Sequence, residues 1–573
     1  MISASAASLS AILAPASLVR LHGVDIAVIA IYFVIVIFIG FYLKQASNTS
    51  EEFFMAGREM TAWIAGLSFI SANLGSLELM GWAGSAYQYG ILATHWYWIG
   101  AIPAMLFLGI VMMPFYYISR THSVPGYLNL RYGEGTRGLS AICFAVMTVL
   151  MSGINMYAMA VVMKVVLGWN LNFSIWVSSI TVAVYVALGG LRSAIFNEVL
   201  QFLLIWLGAL LIPILGLIEC GGWTNLKHQI AARLGTTDYT HLWSTTAHFH
   251  DNPMGINWVG IVFGLGIVIS FGYWTTDFLV VQRVLSAHSL RAARMSPIIG
   301  AGFKMMVPII VILPGLLALS VLPYHLVPAN IAATTGQPSY NEVLPLMMVR
   351  YLGPGLLGLG VTALIAGFMS GMAGNVSAFA TVWTYDIYGA FFNKKASDSH
   401  YVSMGRWCTF IGVLISVGTA YIVQHAASIM DYVQALFSFF IAPLFGTVIL
   451  GMLWKRATKA GGFWGLLSGT LTAIGLWVWV DRDPSALRYV ALSPDAKAMA
   501  ADMYRALWSW LVCVIVTIVV SLMTRPRPEA ELDGLVYGCT KLPEEHDDHW
   551  YQKPTVWACV IGAVFVGLNI IFW

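Results

Sequence analysis

Charged residues are scarce in this sequence. Asp, Glu, Lys and Arg together make up 10% of the 573 residues, whereas hydrophobic residues make up 59%. Soluble domains carry roughly 25% charged residues, because their surfaces face water. No soluble core could bury this much apolar surface. The composition therefore excludes a soluble domain and predicts a helical membrane protein that crosses the bilayer many times.

Cysteine and net charge are also low. The six cysteines show no CxxC or CxxH spacing, so neither a zinc site nor a disulfide framework is predicted. The net charge of +3 is too small and too dispersed for nucleic-acid binding. The sequence offers no histidine cluster and no nucleophile–base pairing, so we do not expect an enzyme. Residues 1–20 lack a basic start and a cleavage motif, so no signal peptide is expected.

Long apolar runs are what the sequence has instead. A helix that crosses a bilayer needs about 20 apolar residues. Runs of this kind predict fourteen candidate spans, of which two exceed one bilayer thickness. The candidates are residues 25–44, 62–89, 95–119, 138–167, 171–188, 194–219, 256–282, 297–323, 354–388, 405–425, 429–454, 462–480, 503–524 and 555–573.

The connections between these spans alternate in charge. Arg120 and Arg137 lie in one connection and Lys455 and Arg456 in another, while the connection at 90–94 has no basic residue. Because basic residues favour the cytoplasmic side of short loops, the pattern predicts that the basic connections are cytoplasmic. Both termini are then expected outside.

The second apolar run is interrupted in its middle. Residues 62–89 contain the segment 71–76, SANLGS, which is poor in helix formers, and Glu78 follows it. Lipid offers no water to unpaired backbone groups, so an unwound segment must face protein, solute or ion. A charge at this depth costs about 2.5–3.5 kcal/mol on insertion scales. The pattern predicts half of a binding site; the alternative is a helix that only kinks at glycine and packs.

A second run breaks in a similar way five spans later. Residues 256–282 are interrupted at 270–276 and followed by Asp277. An odd number of spans separates the two runs, so the second unit enters the membrane from the opposite side. Two inverted units that each begin with a broken helix are typical of alternating-access transporters. The predicted divisions are 1–60 (peripheral helix and cytoplasmic loop), 61–220 (first five-helix repeat), 221–255 (extracellular loop), 256–454 (second, inverted repeat) and 455–573 (peripheral helices with a cytoplasmic loop at 525–553).

A few polar residues lie within the apolar runs. Lys304 is deep in its span, and a buried ammonium needs a carboxylate, a carbonyl or a polar ligand. Gln434 is a single amide among apolar neighbours, and a solute hydroxyl is one candidate partner for it. Glu198 either balances a bound cation or is a carboxylate at a helix start. Tyr273 and Trp274, at the second break, could stack on a ring-shaped solute.

Five local motifs resemble one known family. The motifs are residues 51–58 (EEFFMAGR), 189–201, 273–283, 384–388 (TYDIY) and 531–538 (ELDGLVYG). In this order, on fourteen spans, they resemble the sodium/solute symporter family and, within it, the sodium/glucose (galactose) cotransporter branch. The resemblance extends over nearly the whole chain. It implies an all-α membrane protein with a leucine-transporter-type five-plus-five inverted repeat and about 14 transmembrane helices.

The resemblance also implies a sodium site between the first break and the ninth span. Its expected ligands are the backbone carbonyls of Ser71, Leu74 and Gly367 and the hydroxyl of Ser370. Glu198 replaces a family aspartate and is expected just behind these ligands. Family members usually offer a second hydroxyl at the position of Gly371, so this chain departs from the pattern there.

The resemblance places solute recognition beside that site. The expected solute-binding residues are Asn73, Glu78, Tyr273, Lys304 and Gln434, with Tyr273 as the inner gate. A second sugar-binding carboxylate of the family corresponds here to Tyr97, and an asparagine corresponds to Ser270. These two departures make a polar, hydrogen-bonding solute the expectation, with a sugar as its main example.

The predicted function is sodium-coupled uptake of such a solute by alternating access across the plasma or inner membrane. One alternative is proton coupling in the same fold, with Glu78, Glu198 or Asp277 carrying the proton. Another alternative, from a different class, is a transporter-like sensor or a channel. The sequence leaves the identity of the solute, the stoichiometry and the oligomeric state open.

Overall fold

A computed structural model describes residues 21–44, 49–323, 325–328, 331–332, 335, 337–424, 426, 428–540 and 549–573, with the backbone alone at 43–44 and 181–190. The expectation about residues 1–20 and part of the predicted loop 525–553, namely 541–548, lie outside this range. Within the described residues the chain is helical, and its β-structure is limited to isolated bridges such as Met60 with Ala287.

Twenty-five α-helices are described within these residues. In the first half they are α1 (Gly23–Lys44), α2 (Ser50–Met55), α3 (Ala62–Asn73), α4 (Ser76–Tyr89), α5 (Ile102–Phe107), α6 (Met113–Ile118), α7 (Val124–Tyr132), α8 (Glu134–Leu167), α9 (Leu171–Ala209), α10 (Leu211–Cys220), α11 (Trp223–Leu234), α12 (Phe271–Thr276) and α13 (Phe278–Leu285). The second half has α14 (Leu290–Lys304), α15 (Val307–Val311), α16 (Leu313–Val321), α17 (Val343–Tyr351), α18 (Leu356–Val382), α19 (Asp398–Val423), α20 (Ile429–Leu436), α21 (Ala442–Leu453), α22 (Lys459–Arg482), α23 (Leu487–Val490), α24 (Ala498–Met523) and α25 (Pro554–Ile571).

Several of these helices continue through wider, π-type turns. The wider turns are Trp96–Ala101, Leu108–Met112, Gly260–Ser270, Trp383–Phe392 and Phe437–Ile441. They join α12 to the segment before it and extend α18 toward the predicted cytoplasmic side. Such turns occur within helices without ending them.

The number of spans differs from the fourteen that the apolar runs predict. Ten helices of the described residues are long and apolar enough to cross a membrane, and the number rises to thirteen if each sharply bent pair counts as one span. The run at 171–188 falls in α9, which continues to Ala209, and the run at 194–219 is divided between α9 and α10. Glycine weakens a helix by only about 1 kcal/mol, so Gly189 and Gly190 do not end α9.

The first predicted break is present. Helices α3 and α4 meet at an angle of 57°, and the two residues between them, Leu74 and Gly75, leave the helical conformation. The expected interruption at 71–76 is therefore narrower than predicted, because Ser71 to Asn73 still belong to α3. Helix α4 restarts with Gly75 as its first flanking residue, and that residue has no side chain to cap the helix.

The second break is present but displaced. The chain bends by 49° at Asp277, whereas residues 271–276 form α12. The prediction of an interruption at 270–276 was therefore wrong by several residues. Asp277 itself starts α13, and its carboxylate accepts a hydrogen bond from the Leu279 amide at 2.9 Å. A carboxylate in this position satisfies a free amide at a helix start.

A third bend was not predicted. Helices α14 and α15–α16 meet at 45°, and Lys304 is the last residue of α14. Pro308 lies in the first turn of α15, where the absence of an amide donor and the bulk of the ring interrupt a continuous helix. The bend brings the Lys304 ammonium to the same depth as the two breaks.

The broken spans face each other at the centre of the bundle. Phe69 of α3 lies 5.3 Å from Trp274 of α12, measured between ring centroids. Helix α18 packs against α3, α4, α8 and α9 and so closes one side of this centre. The fold thus places polar residues of four separate spans around one space inside an apolar molecule.

Candidate solute and cation site

A cavity lies between the two broken spans. The cavity has a volume of about 80 Å³. It is lined by residues of α3, α4, α8, α12, α14, α18 and α20. The lining includes all five residues predicted to bind solute: Asn73, Glu78, Tyr273, Lys304 and Gln434. These residues are far apart in the sequence, and the fold gathers them at one depth.

Lys304 and Glu78 form an ion pair in this cavity. The Lys304 ammonium lies 2.5 Å from a Glu78 carboxylate oxygen, and the two side chains are 2% and 6% exposed. The same oxygen accepts a hydrogen bond from the Tyr97 hydroxyl at 2.8 Å. The ammonium also lies 4.9 Å from the centroid of the Tyr97 ring and 5.2 Å from that of Trp274. The pair compensates each charge and presents both to the cavity.

Asn73 connects this pair to the predicted gate. Its amide oxygen accepts a hydrogen bond from Lys304, and its amide nitrogen donates to the Tyr273 hydroxyl at 2.8 Å. The Tyr273 ring lies against Phe437, with 5.0 Å between the ring centroids. The chain Glu78–Lys304–Asn73–Tyr273 therefore crosses from the first broken span to the second.

Gln434 contributes an acceptor that is free for a ligand. Its side chain is 1% exposed and lines the cavity. Among the described residues, no donor reaches its Oε1 atom. A buried amide oxygen without a partner costs free energy, which a donor from a bound solute would recover.

The predicted cation ligands lie beside the cavity, at the first break. The Ser370 hydroxyl donates to the Ser71 carbonyl at 2.8 Å, and the two hydroxyls are 3.1 Å apart. A Cβ atom placed on Gly367 would lie 3.2 Å from the Leu74 carbonyl oxygen. The structure therefore brings these four residues together, and carbonyl and hydroxyl oxygens are the ligands that suit a hard cation.

Glu198 lies behind this group, in a second ion pair. Its carboxylate receives two hydrogen bonds from Arg283, at 2.6 and 3.3 Å, and one from Ser68. Both charged side chains are fully buried. Glu198 is far inside α9, so the alternative reading of a helix-start carboxylate was wrong. Its predicted role next to the cation stays a prediction.

The cytoplasmic motifs form a separate cluster of charges. Asp386 is buried and pairs with Arg137 at 2.8 Å. Glu51 is bonded to His122 at 2.9 Å and to Arg58 at 2.8 Å. These two hydrogen bonds, of which the one with His122 has the larger effect, lower the pKa of the Glu51 carboxyl to about 2. The cluster joins connections on the side predicted to be cytoplasmic, so these motifs hold loops together outside the cavity.

Several lining residues were missed as site residues, and four of them are polar or tryptophan. These four are Trp82, Trp96, Asn155 and Asn375. Asn155 had a readable signal, because it is a buried amide in the middle of an apolar run, as Gln434 is. The tryptophans had none, because tryptophan in a membrane protein is more often an interfacial residue. The sequence marked Tyr97 only as a departure from the family pattern. In the structure its hydroxyl donates a hydrogen bond to the Glu78 carboxylate.

Two broken spans that face each other around a midplane cavity define a transporter fold of the leucine-transporter type, as expected from the sequence. The chain belongs to the sodium:solute symporter family, whose model matches residues 53–469. The family expected from the five motifs is thereby confirmed, and the chain is a multi-pass membrane protein.

Individual relatives are similar over most of their length. The human sodium/glucose cotransporter 4 is 29% identical over 553 residues, which is 92% of this chain and 80% of that protein. The sheep sodium/glucose cotransporter 1 is 28% identical, with coverage of 92% and 82%. Among solved structures, an outward-open Na⁺-coupled sialic acid symporter matches with a TM-score of 0.71 at 19% identity, covering 88% of this chain and 98% of that one. That structural likeness supports the fold alone.

Proposed function

We propose that this protein is a sodium-coupled symporter that imports a sugar or a similar polyhydroxylated solute across the plasma or inner membrane. Family membership and relatives that are named sodium/glucose cotransporters support the proposal. We assign residues 61–220 and 256–454 as the two inverted repeats that rock around the cavity, with peripheral helices before and after them. The cavity residues carry the rest of the argument.

The observation that carries the proposal is the composition of the cavity wall. Lys304 offers donors, Glu78 offers acceptors, and the Gln434 amide has an acceptor without a partner within the described residues. A hydroxyl group both donates and accepts, so neighbouring hydroxyls on one solute can bond an ammonium and a carboxylate together. Trp82, Trp96 and Trp274 supply flat apolar faces beside these groups. This combination fits a sugar ring, which has a polar edge and apolar faces.

Sodium would be held at the first break by the oxygens of Ser71, Leu74, Gly367 and Ser370. The ion would supply positive charge between α3 and α18, beside the carbonyl oxygens of Leu74 and Gly367. Its binding shifts the protein toward the outward-open state only by its difference in affinity between the two states. The break itself connects the ion site to the solute site, because Leu74 and Glu78 are only four residues apart, on the two sides of Gly75.

The available driving force is sufficient for concentrative uptake. One charge that crosses 100 mV contributes about 2.3 kcal/mol, and a tenfold ion gradient adds about 1.4 kcal/mol. Together these terms support a solute gradient of roughly 500-fold at a one-to-one stoichiometry. A channel cannot build such a gradient.

Proton coupling is the second candidate. Gly371 offers no hydroxyl to the cation, and Glu78 places a carboxylate in the cavity itself. Asp277 also lines the cavity, where its carboxylate caps α13.

The test is uptake into proteoliposomes that contain the purified protein. Radiolabelled sugars, inositols, monocarboxylates and nucleosides are offered with an inward sodium, potassium or proton gradient. The proposal predicts concentrative uptake of a sugar or inositol with sodium, and none with potassium. Uptake that follows the proton gradient without sodium would contradict sodium coupling, and exclusive uptake of a monocarboxylate would contradict the solute class.

A further inference from the structure

Asn155 is a buried amide in the middle of the long apolar helix α8. Its side chain is 3% exposed. The Oδ1 atom accepts a hydrogen bond from the Leu77 amide at 3.3 Å, and the Nδ2 atom donates to the Met151 carbonyl at 3.4 Å. Both bonds are long. Because a carbonyl oxygen has two lone pairs, Oδ1 has capacity for one more partner.

Two glycines on other helices make room for this oxygen. A Cβ atom on Gly75 would lie 2.9 Å from Asn155 Oδ1, and a Cβ atom on Gly371 would lie 3.1 Å from it. The first distance is shorter than a carbon–oxygen contact allows, and the second requires a shift. Oδ1 therefore lies between the break after α3 and the middle of α18, in space that side chains at these positions would take.

The neighbouring oxygens belong to the candidate cation site. The Gly367 carbonyl oxygen is 3.5 Å from the position of a Cβ on Gly75, and the Leu74 carbonyl oxygen is 3.2 Å from that of a Cβ on Gly367. The Ser370 hydroxyl belongs to the same helix, three residues after Gly367, and donates to the Ser71 carbonyl at the end of α3. The oxygens of two helices and the Asn155 amide thus converge on the break.

We infer that Asn155 Oδ1 is a ligand of the coupling cation, an inference that rests on the sodium site proposed above. The amide oxygen comes from α8 and occupies the place beside residue 371, where this chain has no hydroxyl. A neutral amide oxygen is a good ligand for a hard cation. The bond to the Leu77 amide gives it a second effect, since Leu77 precedes Glu78. Cation binding would therefore fix the half-helix that carries the solute-binding carboxylate.

The test measures cation binding without solute or transport. Purified protein in detergent is titrated with NaCl at constant ionic strength, with choline replacing sodium, and its thermal unfolding midpoint is followed. Asn155→Ala should raise the half-saturating sodium concentration by about tenfold. The control Ser152→Ala, on the same helix, removes a buried hydroxyl whose one bond among the described residues is to the Thr148 carbonyl, and it should leave that concentration unchanged. A shift of less than twofold for Asn155→Ala would overturn the assignment and leave Asn155 as a helix cap.

Rescue separates a ligand from a packing role. In the Asn155→Ala background, Gly371→Ser puts a hydroxyl into the vacated space and should recover most of the lost sodium affinity. A double variant no better than Asn155→Ala would contradict the proposal. If wild-type protein responded to protons but not to sodium, the proposed sodium coupling would fail together with this ligand. A sodium response that is intact in Asn155→Ala would overturn the ligand alone.

A second pair of variants covers the case in which Asn155→Ala does not fold. Gly371→Ala leaves every oxygen present but moves the amide, since the new methyl would lie 3.1 Å from Oδ1. Gly374→Ala, one turn later, adds a methyl 3.2 Å from Leu279 and away from the oxygens. Only Gly371→Ala should weaken sodium binding, by several-fold. Equal effects of the two variants would overturn the proposal.

Discussion

Two of the buried ion pairs in the described part of the chain lie at the broken spans, and they differ in what surrounds them. Lys304 and Glu78 border the cavity and share their remaining bonds with Asn73 and Tyr97. Arg283 and Glu198 are fully buried, and neither is among the described residues that line the cavity. A solute in the cavity can therefore replace hydrogen bonds of the Lys304–Glu78 pair, whereas the Arg283–Glu198 pair lies away from the cavity.

The remaining hydrogen bonds of the second pair, Arg283–Glu198, show why it stays in place; we call it the permanent pair. Arg283 donates to the Leu279 carbonyl at 2.9 Å and to the Gln282 side chain at 3.1 Å, in addition to its two bonds to Glu198. Ser68 donates to Glu198 Oε2, the oxygen that also accepts from Arg283 Nε. The pair therefore joins α3, α9 and α13 through bonds to both carboxylate oxygens. Charge inside a membrane protein thus has at least two uses, and access to the cavity distinguishes them.

The largest expected effect is on the permanent pair. Arg283→Met leaves the Glu198 carboxylate buried without a counter-charge and should destabilise the protein by about 3–5 kcal/mol. The measurement is the thermal unfolding midpoint of the purified protein, and the yield of monodisperse protein. The double variant Glu198→Leu/Arg283→Met should recover most of the loss, because no charge remains. If Arg283→Met were as stable as the wild type, the Arg283–Glu198 pair would have no structural role, and its contrast with the Lys304–Glu78 pair would be lost.

The next effect concerns the pair in the cavity. Lys304→Met should lower solute uptake by roughly 100-fold, because removing one partner of a buried charged pair costs about 2–5 kcal/mol. Its unfolding midpoint should fall by less than that of Arg283→Met, since Glu78 keeps the Tyr97 hydrogen bond and borders the cavity. Lys164→Met is the matched control, because its pair with Glu342 is 3.2 Å long and the lysine is 55% exposed. Normal uptake by Lys304→Met would mean that the Lys304–Glu78 pair is structural as well and does not bind the solute.

A smaller effect is expected at the cation site between the two pairs. Ser370→Ala removes one oxygen and should raise the sodium concentration for half-maximal uptake by about tenfold, which corresponds to about 1.4 kcal/mol. The maximal rate at saturating sodium should change little. Thr362→Ala is the control, because its buried hydroxyl, on the same helix, bonds the Gly358 carbonyl and no other group in the described part of the chain. Unchanged sodium dependence in Ser370→Ala would remove this residue from the site.

The smallest expected effect is at Tyr97. Tyr97→Phe deletes one hydrogen bond to Glu78 and should raise the KM for solute by about fivefold, equal to about 1 kcal/mol. Tyr127→Phe removes a hydroxyl that bonds the Leu535 carbonyl, far from the cavity, and should leave KM unchanged. A lower KM in Tyr97→Phe would mean that the Tyr97 hydroxyl competes with the solute for the carboxylate.

The sequence predicted the existence of the site better than its internal geometry. Lys304 stood out because an ammonium in an apolar run must have a partner, yet nothing in the sequence joins it to Glu78, 226 positions away. The second break was placed too early because Thr275 and Thr276 are compatible with a helix end, while their hydroxyls in fact bond carbonyls of the preceding turn. Asp277 capped the next helix instead.

Other features depend on contacts between elements that are distant in the sequence. The bend after Lys304 had a local signal in Pro308, but prolines also occur in continuous membrane helices. Asn155 was missed because its importance comes from Gly75 and Gly371, which are on other helices. Periodicity and composition report each helix separately, so they predict the spans and the breaks. The assignment of partners requires the three-dimensional structure.

The most direct test of sodium–solute coupling is to drive sodium with a gradient of the solute. Proteoliposomes are prepared with equal sodium on both sides, the membrane potential is clamped at zero, and an inward gradient of the transported solute is imposed. The account predicts that ²²Na⁺ accumulates inside as solute enters, and that Lys304→Met abolishes this accumulation. Solute entry without any net movement of ²²Na⁺ would contradict it.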